Sequence, residues 1–286
     1  MPDYADRQWS SRDGLTLHYR DYPGRADRPP LVCLPGLTRN ARDFEDLAAS
    51  LAGEWRVLCP EMRGRGDSGY ARESASYNPV QYVEDVTLLL EAEGIASFVA
   101  IGTSLGGLMT LLFAMTAPQR LAGVLLNDIG PRVEPEGLAR IRDYVGQGRS
   151  FPTWMHAARA IAETQSMAYP RFEIADWLRV AKRLMVLGGN DRIVFDYDMK
   201  IAEPFAGVDF SAQPEMWLAL EPLRDKPVTL IRGALSDVLS AETLAVMATR
   251  LPQADVVTVP DVGHAPTLDE PECRAAIDRL LARIAA

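Results

Sequence analysis

The chain has 286 residues, of which 48% are hydrophobic and 24% charged. Those fractions sit near globular averages, which argues against a disordered chain and against a membrane protein. Its 30 Lys and Arg against 39 Asp and Glu leave a formal charge of −9, the wrong sign for holding nucleic-acid phosphates. The length suits one large domain, or a core domain carrying an insertion.

Three cysteines, Cys33, Cys59 and Cys273, are too few and too scattered for a disulfide framework. Cys33 and Cys59 lie in apolar runs, where a thiol behaves as a small hydrophobe. With only His18, His156 and His264 and no Cys/His cluster at ligand spacing, neither a metal nor a cofactor is expected. The first residues, "MPDYADRQWSSRDG", are polar and charged and do not read as a secretory signal. No stretch approaches the roughly 18 uninterrupted apolar residues of a membrane span. The expectation is a cytoplasmic protein without nucleic-acid or membrane partners, either a monomer or a homodimer.

In chain order, "LTLHYRDY" (15–22) alternates as a strand, and "RPPLVCLPG" (28–36) carries a short apolar run to a Pro-Gly stop. "ARDFEDLAASLAG" (41–53) has helical spacing and ends at a glycine. "EWRVLCPEMRGRGDS" (54–68) supplies a strand and a Gly-rich loop. "NPVQYVEDVTLLLEAEG" (78–94) is a helix with proline in its first turn. "SFVAIGTS" reads as a strand, "LGGLMTLLFAMTAP" as a helix and "LAGVLLNDIGP" (121–131) as a strand again. Buried strands alternating with helices mean a parallel sheet covered on both faces. Ligands of such sheets bind at the carboxyl ends of the strands, where Gly36, Ser104 and Asp128 fall.

The rhythm stops after Pro131. From 132 to 222 no strand is evident, and "GLARIRDYVGQG", "FPTWMHAARAIAETQ" and "EIADWLRVAKRLMV" read as short amphipathic helices before a loop-like stretch at 188–207. Alternation resumes with "KPVTLIRG" (226–233), a helix at 241–250, "ADVVTVPDVGH" (254–264) and a last helix at 272–285. The expected organisation is a core of residues 1–131 and 223–286 with an all-helical insertion at 132–222.

Gly102-Thr103-Ser104-Leu105-Gly106 fits G-x-S-x-G between a strand and a helix. A packing turn or a dinucleotide loop competes with that reading, but "GTSLGG" lacks the G-x-G-x-x-G spacing and ends in no Gly-Lys-Ser/Thr. A serine raised on such a turn would be a nucleophile, and the Leu105 N–H at the helix start would face a developing oxyanion. Serine needs a base. His18 alternates with apolar neighbours in a strand and His156 sits on a helix, whereas His264 follows a glycine on a loop after a strand. The base needs an orienting carboxylate. Asp237, in "IRGALSD", is preferred because Ser104…Asp237…His264 follows the Ser…Asp…His chain order of one particular fold. Asp128, in "VLLNDIGP", is the competitor, and Asp191 and Asp196 are poorer choices.

The segments "LPGL", "EMRGRGDS", "GTSLGG", "IRGALSD" and "VGHAPTLDEP" together resemble the landmarks of the α/β-hydrolase superfamily. The likeness is to its cap-bearing serine carboxylesterases, which are related to proline iminopeptidases, enol-lactonases and ring-cleavage product hydrolases. It implies an α/β fold with a mostly parallel eight-stranded sheet and a helical cap inserted after strand 6. It also implies Ser104 as nucleophile, His264 as base, Asp237 as acid, and an oxyanion hole from the N–H groups of Leu37 and Leu105. The chain departs from the family in having Pro35-Gly36 where His-Gly is usual. Dehalogenases and epoxide hydrolases carry Asp at the nucleophile position, so Ser104 points away from them.

The expected activity is cofactor-free hydrolysis of small to medium apolar carboxylic esters, with Trp154, Trp177 and Trp217 of the insertion as substrate contacts. Lactone hydrolysis, carbon–carbon hydrolysis of ring-cleavage diketones and a receptor-like protein with little turnover are the alternatives. Acidic residues in the insertion, Glu163, Glu173, Asp176, Asp191 and Glu203, leave room for an aminopeptidase.

Overall fold

The computed structural model describes residues 4–206 and 214–285. In the first half, β1 (Ala5–Ser10), β2 (Thr16–Tyr22), β3 (Leu31–Leu34), α1 (Glu45–Leu51), β4 (Val57–Pro60) and α2 (Pro79–Ala92) lead to β5 (Phe98–Thr103), α3 (Leu105–Thr116) and β6 (Leu121–Asn127). After the inserted segment come β10 (Val228–Gly233), α7 (Ala241–Arg250), β11 (Asp255–Val259) and α8 (Pro271–Ala285). These eight strands form one sheet in the order β1-β2-β4-β3-β5-β6-β10-β11. Only the β1–β2 and β2–β4 pairings are antiparallel, so the sheet is mostly parallel. This is the α/β-hydrolase fold.

Period-2 alternation explains how helices come to cover both faces. Phe98 and Ala100 of β5 point into one core, with α2, α3 and α7, while Val99 and Ile101 point into the other, with α1 and α8. Val32 and Leu34 of β3 oppose Leu31 and Cys33 in the same way. Strands apolar on both sides can only be interior strands. All three cysteines are free and buried.

The first strand lies outside the sequence expectation. β1 reads "ADRQWS" and is exposed except at Trp9, as an antiparallel edge strand can be. Its polar face hid it from a hydrophobic-pattern reading.

The insertion is not all helical. Between β6 and β10 lie α4 (Pro135–Tyr144), β7 (Ser150–Phe151), α5 (Trp154–Gln165), α6 (Ile174–Leu184), β8 (Met185–Leu187) and β9 (Ile193–Phe195). The three short strands make an antiparallel sheet in the order β7-β9-β8. Strands of two or three residues are too short to show alternation, and Met185–Leu187 runs on from α6 without a break. The segment has a small core of its own around Phe151, Ile161, Trp177, Leu184 and Ile193. Residues 207–213 of the expected insertion lie outside the described residues.

Candidate active site

The turn after β5 explains the glycines around Ser104. A Cβ on Gly102 would fall 2.5 Å from the Gly106 carbonyl oxygen, and one on Gly106 would run into the Leu34 carbonyl. Strand and helix can therefore pass this closely only with glycine at both positions. Ser104 itself has φ 52° and ψ −114°, a conformation that costs a non-glycine residue about 1–3 kcal/mol and persists only where the surroundings enforce it. The enforcement is visible. Ser104 N–H donates to the Asn127 carbonyl at 3.0 Å, and the Ser104 carbonyl accepts from Gly107 and Leu108 at the start of α3.

Four adjacent parallel strands, β5, β6, β10 and β11, end at one edge of the sheet, which brings distant residues together. Ser104 Oγ lies 2.8 Å from His264 Nε2, and His264 Nδ1 lies 2.7 Å from Asp128 Oδ2. The Asp128 carboxylate is fully buried and also accepts from Gly233 N–H at 2.8 Å and Ser236 Oγ at 2.6 Å. With a carboxylate on Nδ1 the imidazole carries its hydrogen there, which leaves Nε2 free to accept from the serine hydroxyl. Asn127 ties the parts together, donating to Thr103 Oγ1 at 3.1 Å and to the Pro266 carbonyl at 2.8 Å.

The expected acid is corrected by this geometry. Asp237 accepts from Arg140 Nε at 2.5 Å and from Arg140 Nη2 at 2.8 Å, instead of from the imidazole. Burial would push its carboxyl up, but the Arg140 contacts outweigh that and hold it below the usual carboxylate range. Chain order could not separate the two acids, because both lie between Ser104 and His264 in sequence.

The loop after β3 reaches the same edge. The Leu37 carbonyl accepts from Arg65 Nε at 2.8 Å, and Arg65 is itself buried against Tyr82, whose hydroxyl accepts at 2.9 Å. The "RGRGDS" arginines thus brace loops: Arg63 pairs with Asp85 in the interior, and Arg65 fixes the carbonyl of Leu37, the residue that follows Gly36. The Leu105 N–H is the first of α3, where amides have no helical acceptor and the helix end carries partial positive charge.

A cavity of about 400 Å³ opens above Ser104 and His264. Its floor is the edge of the main sheet and its roof comes from α4, α5, α6 and β9. Apolar walls are supplied by Phe151, Ile161, Leu184 and Phe195, and polar ones by Arg39, Arg140, Tyr144 and Tyr169. Burial pushes the phenols of Tyr144 and Tyr169 up, so both stay neutral hydrogen-bonding groups.

Residues 31–276 match the family model described as the alpha/beta hydrolase family. The chain belongs to that family. It is 35% identical over 262 residues to the 3-hydroxybutyrate-oligomer hydrolase of Cupriavidus necator, covering 89% of each chain. It is 25% identical over 252 residues to the 2-(acetamidomethylene)succinate hydrolase of Mesorhizobium japonicum, covering 87% of this chain and 85% of that one. Among solved structures it resembles an alpha/beta hydrolase from Novosphingobium aromaticivorans at 60% identity, with a TM-score of 0.95 over 99% of both chains.

Within this hydrolase the three tryptophans expected to meet substrate do not line the cavity. Trp177 is buried and packs edge-on to Tyr169 and Phe172, which do line it. Trp154 packs against the insertion's own core. Trp217 lies under the Arg250 guanidinium and donates to Glu215. Large aromatics on short helices first fill the cores those helices need. What the sequence reading missed is the ring of arginines and tyrosines, which carries no local motif.

His156 bonds the Thr153 hydroxyl at the start of α5, on the exterior. His18, Glu61 and Asp67 bring possible metal-ligating atoms within 4.8 Å of one another. Those of Glu61 and His18 already serve the fold: Glu61 accepts from His18 and from the N–H groups of Ala41 and Asp67, and the other His18 nitrogen meets Asp6. Among the described residues no helix is long and apolar enough to cross a membrane.

Proposed function

We propose that this hydrolase cleaves carboxylic esters through an acyl-enzyme on Ser104, with His264 as general base and acid and Asp128 as the carboxylate that orients it. The observation that carries the reading is the continuous hydrogen-bonded path from Ser104 Oγ through His264 to buried Asp128, set on the floor of a ligand-sized cavity. Ser104 Oγ gives its proton to His264 Nε2 as it bonds to the ester carbon. The former carbonyl oxygen takes the negative charge and is held by the N–H groups of Leu105 and Leu37. His264 passes the proton to the departing alkoxide, the C–O bond breaks, and the alcohol leaves. Water then gives a proton to His264 and its oxygen attacks the acyl carbon, releasing the acid and restoring the Ser104 hydroxyl.

Within residues 132–222, the elements α4, α5, α6 and β9 act as a cap over the core of residues 1–131 and 223–286, since the roof of the cavity comes from them. A cavity with apolar walls and several hydrogen-bond donors suits a chain of ester groups, which offers carbonyl acceptors between short alkyl units. The relative named as a 3-hydroxybutyrate-oligomer hydrolase supports the same class, short oligoesters of hydroxy acids.

The test is a panel of p-nitrophenyl esters, a lactone, a ring-cleavage dienoate and the 3-hydroxybutyrate dimer, run on the native enzyme and on Ser104→Ala. Turnover of the dimer and of short p-nitrophenyl esters, abolished by the substitution, is the expected result. Turnover of the dienoate alone, tight binding without turnover, or undiminished rates in Ser104→Ala would overturn it.

A further inference from the structure

Four arginines border the cavity, and three of them are already matched by acids. Arg39 is held by Asp43 at 2.5 and 2.6 Å, Arg140 by Asp237, and Arg183 by Asp46 and Asp269 at 2.5 and 3.2 Å. Arg149 differs. Among the described residues it has no carboxylate partner. Its guanidinium carbon stands 5.4 Å from the centroid of the Phe151 ring, which also borders the cavity. Arg149 lies between α4 and β7, and its own N–H donates to the Gln147 carbonyl at 2.7 Å. Asp143, the remaining acid on the cavity wall, forms no ion pair with it.

From this arrangement we infer that Arg149 receives a free carboxylate of the substrate, so that the enzyme acts on ester chains that end in an acid. This rests on the ester-hydrolase reading above. A guanidinium beside an aromatic ring keeps a fork of N–H groups for a planar carboxylate, and the ring limits the orientations the side chain must give up. The paired arginines cannot do this without first breaking contacts to their acids, bidentate for Arg39 and Arg140 and shared between Asp46 and Asp269 for Arg183. An acid-terminated oligoester would enter with its carboxylate at Arg149 and an ester carbonyl toward Ser104, which makes the enzyme a reader of chain ends. Arg149 is a specificity residue in this account and takes no part in the chemistry.

The test compares the 3-hydroxybutyrate dimer with its terminal amide, a neutral analogue of nearly the same shape, and uses p-nitrophenyl butyrate as a control. The native enzyme should show a KM for the acid about five- to tenfold below that for the amide, with the difference shrinking as salt is added. Arg149→Gln should raise KM for the acid to that of the amide, with kcat and the p-nitrophenyl butyrate rate unchanged. Arg149→Lys should keep part of the preference, supplying charge without the fork. Equal KM values for acid and amide in the native enzyme, or a loss in Arg149→Gln shared by all three substrates, would overturn the inference. If p-nitrophenyl butyrate is cleaved and the acid is not preferred, only this inference falls. If nothing is cleaved, the ester-hydrolase reading falls with it.

Discussion

His264 Nδ1 meets Asp128 Oδ2 at 2.7 Å, and Asp128 stands directly after β6, the strand beside the one that carries Ser104. The carboxylate is fully buried and takes three donors, from His264, Gly233 and Ser236. Such a carboxylate can hold an imidazole in one tautomer and balance its positive charge during turnover.

Replacing Asp128 with Asn should therefore lower kcat by about 10³–10⁴-fold while leaving KM for a short ester within a few-fold. Asp237→Asn should leave kcat within about tenfold, because its partner is Arg140 and not the base. Parallel steady-state kinetics on the two variants check this. The reverse ranking would return the acid's role to Asp237.

The fold was largely legible because its signals are local. Leu31–Leu34 and Phe98–Thr103 are apolar on both faces, and Pro79 with Asn78 marks the start of a helix. Ser104 was legible for the same reason, since the glycines that permit its turn lie within two residues of it. The acid was not, because Asp128 and Asp237 each follow a strand and only the side-chain direction separates them. Asp128 itself has φ 56°, which turns the chain sharply at the strand end, and no sequence pattern announces that. The strands of the insertion were hidden by their length, and the arginines around the cavity because no local pattern marks which of them reach it: Arg140 and Arg183 meet acids from distant segments, whereas Arg39 meets Asp43 four residues on.

The Arg63–Asp85 pair should be worth most when one partner alone is removed. Both side chains are fully buried and share two contacts of 2.7 Å. Asp85→Ala strands a buried guanidinium, with only half-exposed Asp13 left to meet it, and should cost about 3–5 kcal/mol. The double variant Arg63→Met with Asp85→Leu should recover much of that loss. Urea denaturation of the two variants measures it, and a single variant as stable as the native protein would contradict the assignment.

His18 gives stability a pH dependence. Burial opposes its charge, but Glu61 and Asp6 outweigh burial and raise its pKa above the ordinary value of 6.5. A raised folded-state value stabilises the protein fully below about pH 6.5, and the contribution fades as pH rises through the folded value. The melting temperature of the native protein should therefore exceed that of His18→Gln most at pH 6, and the gap should narrow toward pH 8.5. Thermal melts across that range provide the check, and a gap that stayed constant or widened with pH would count against it.

Covalent labelling with a fluorophosphonate, read by peptide mass spectrometry, tests most directly whether the hydroxyl on the turn after β5 is the reacting group. One adduct per chain on the peptide containing Ser104, absent in Ser104→Ala and formed far more slowly in His264→Ala, is the predicted result. An adduct on another residue, or none in the native enzyme under conditions that label other serine hydrolases, would contradict the account.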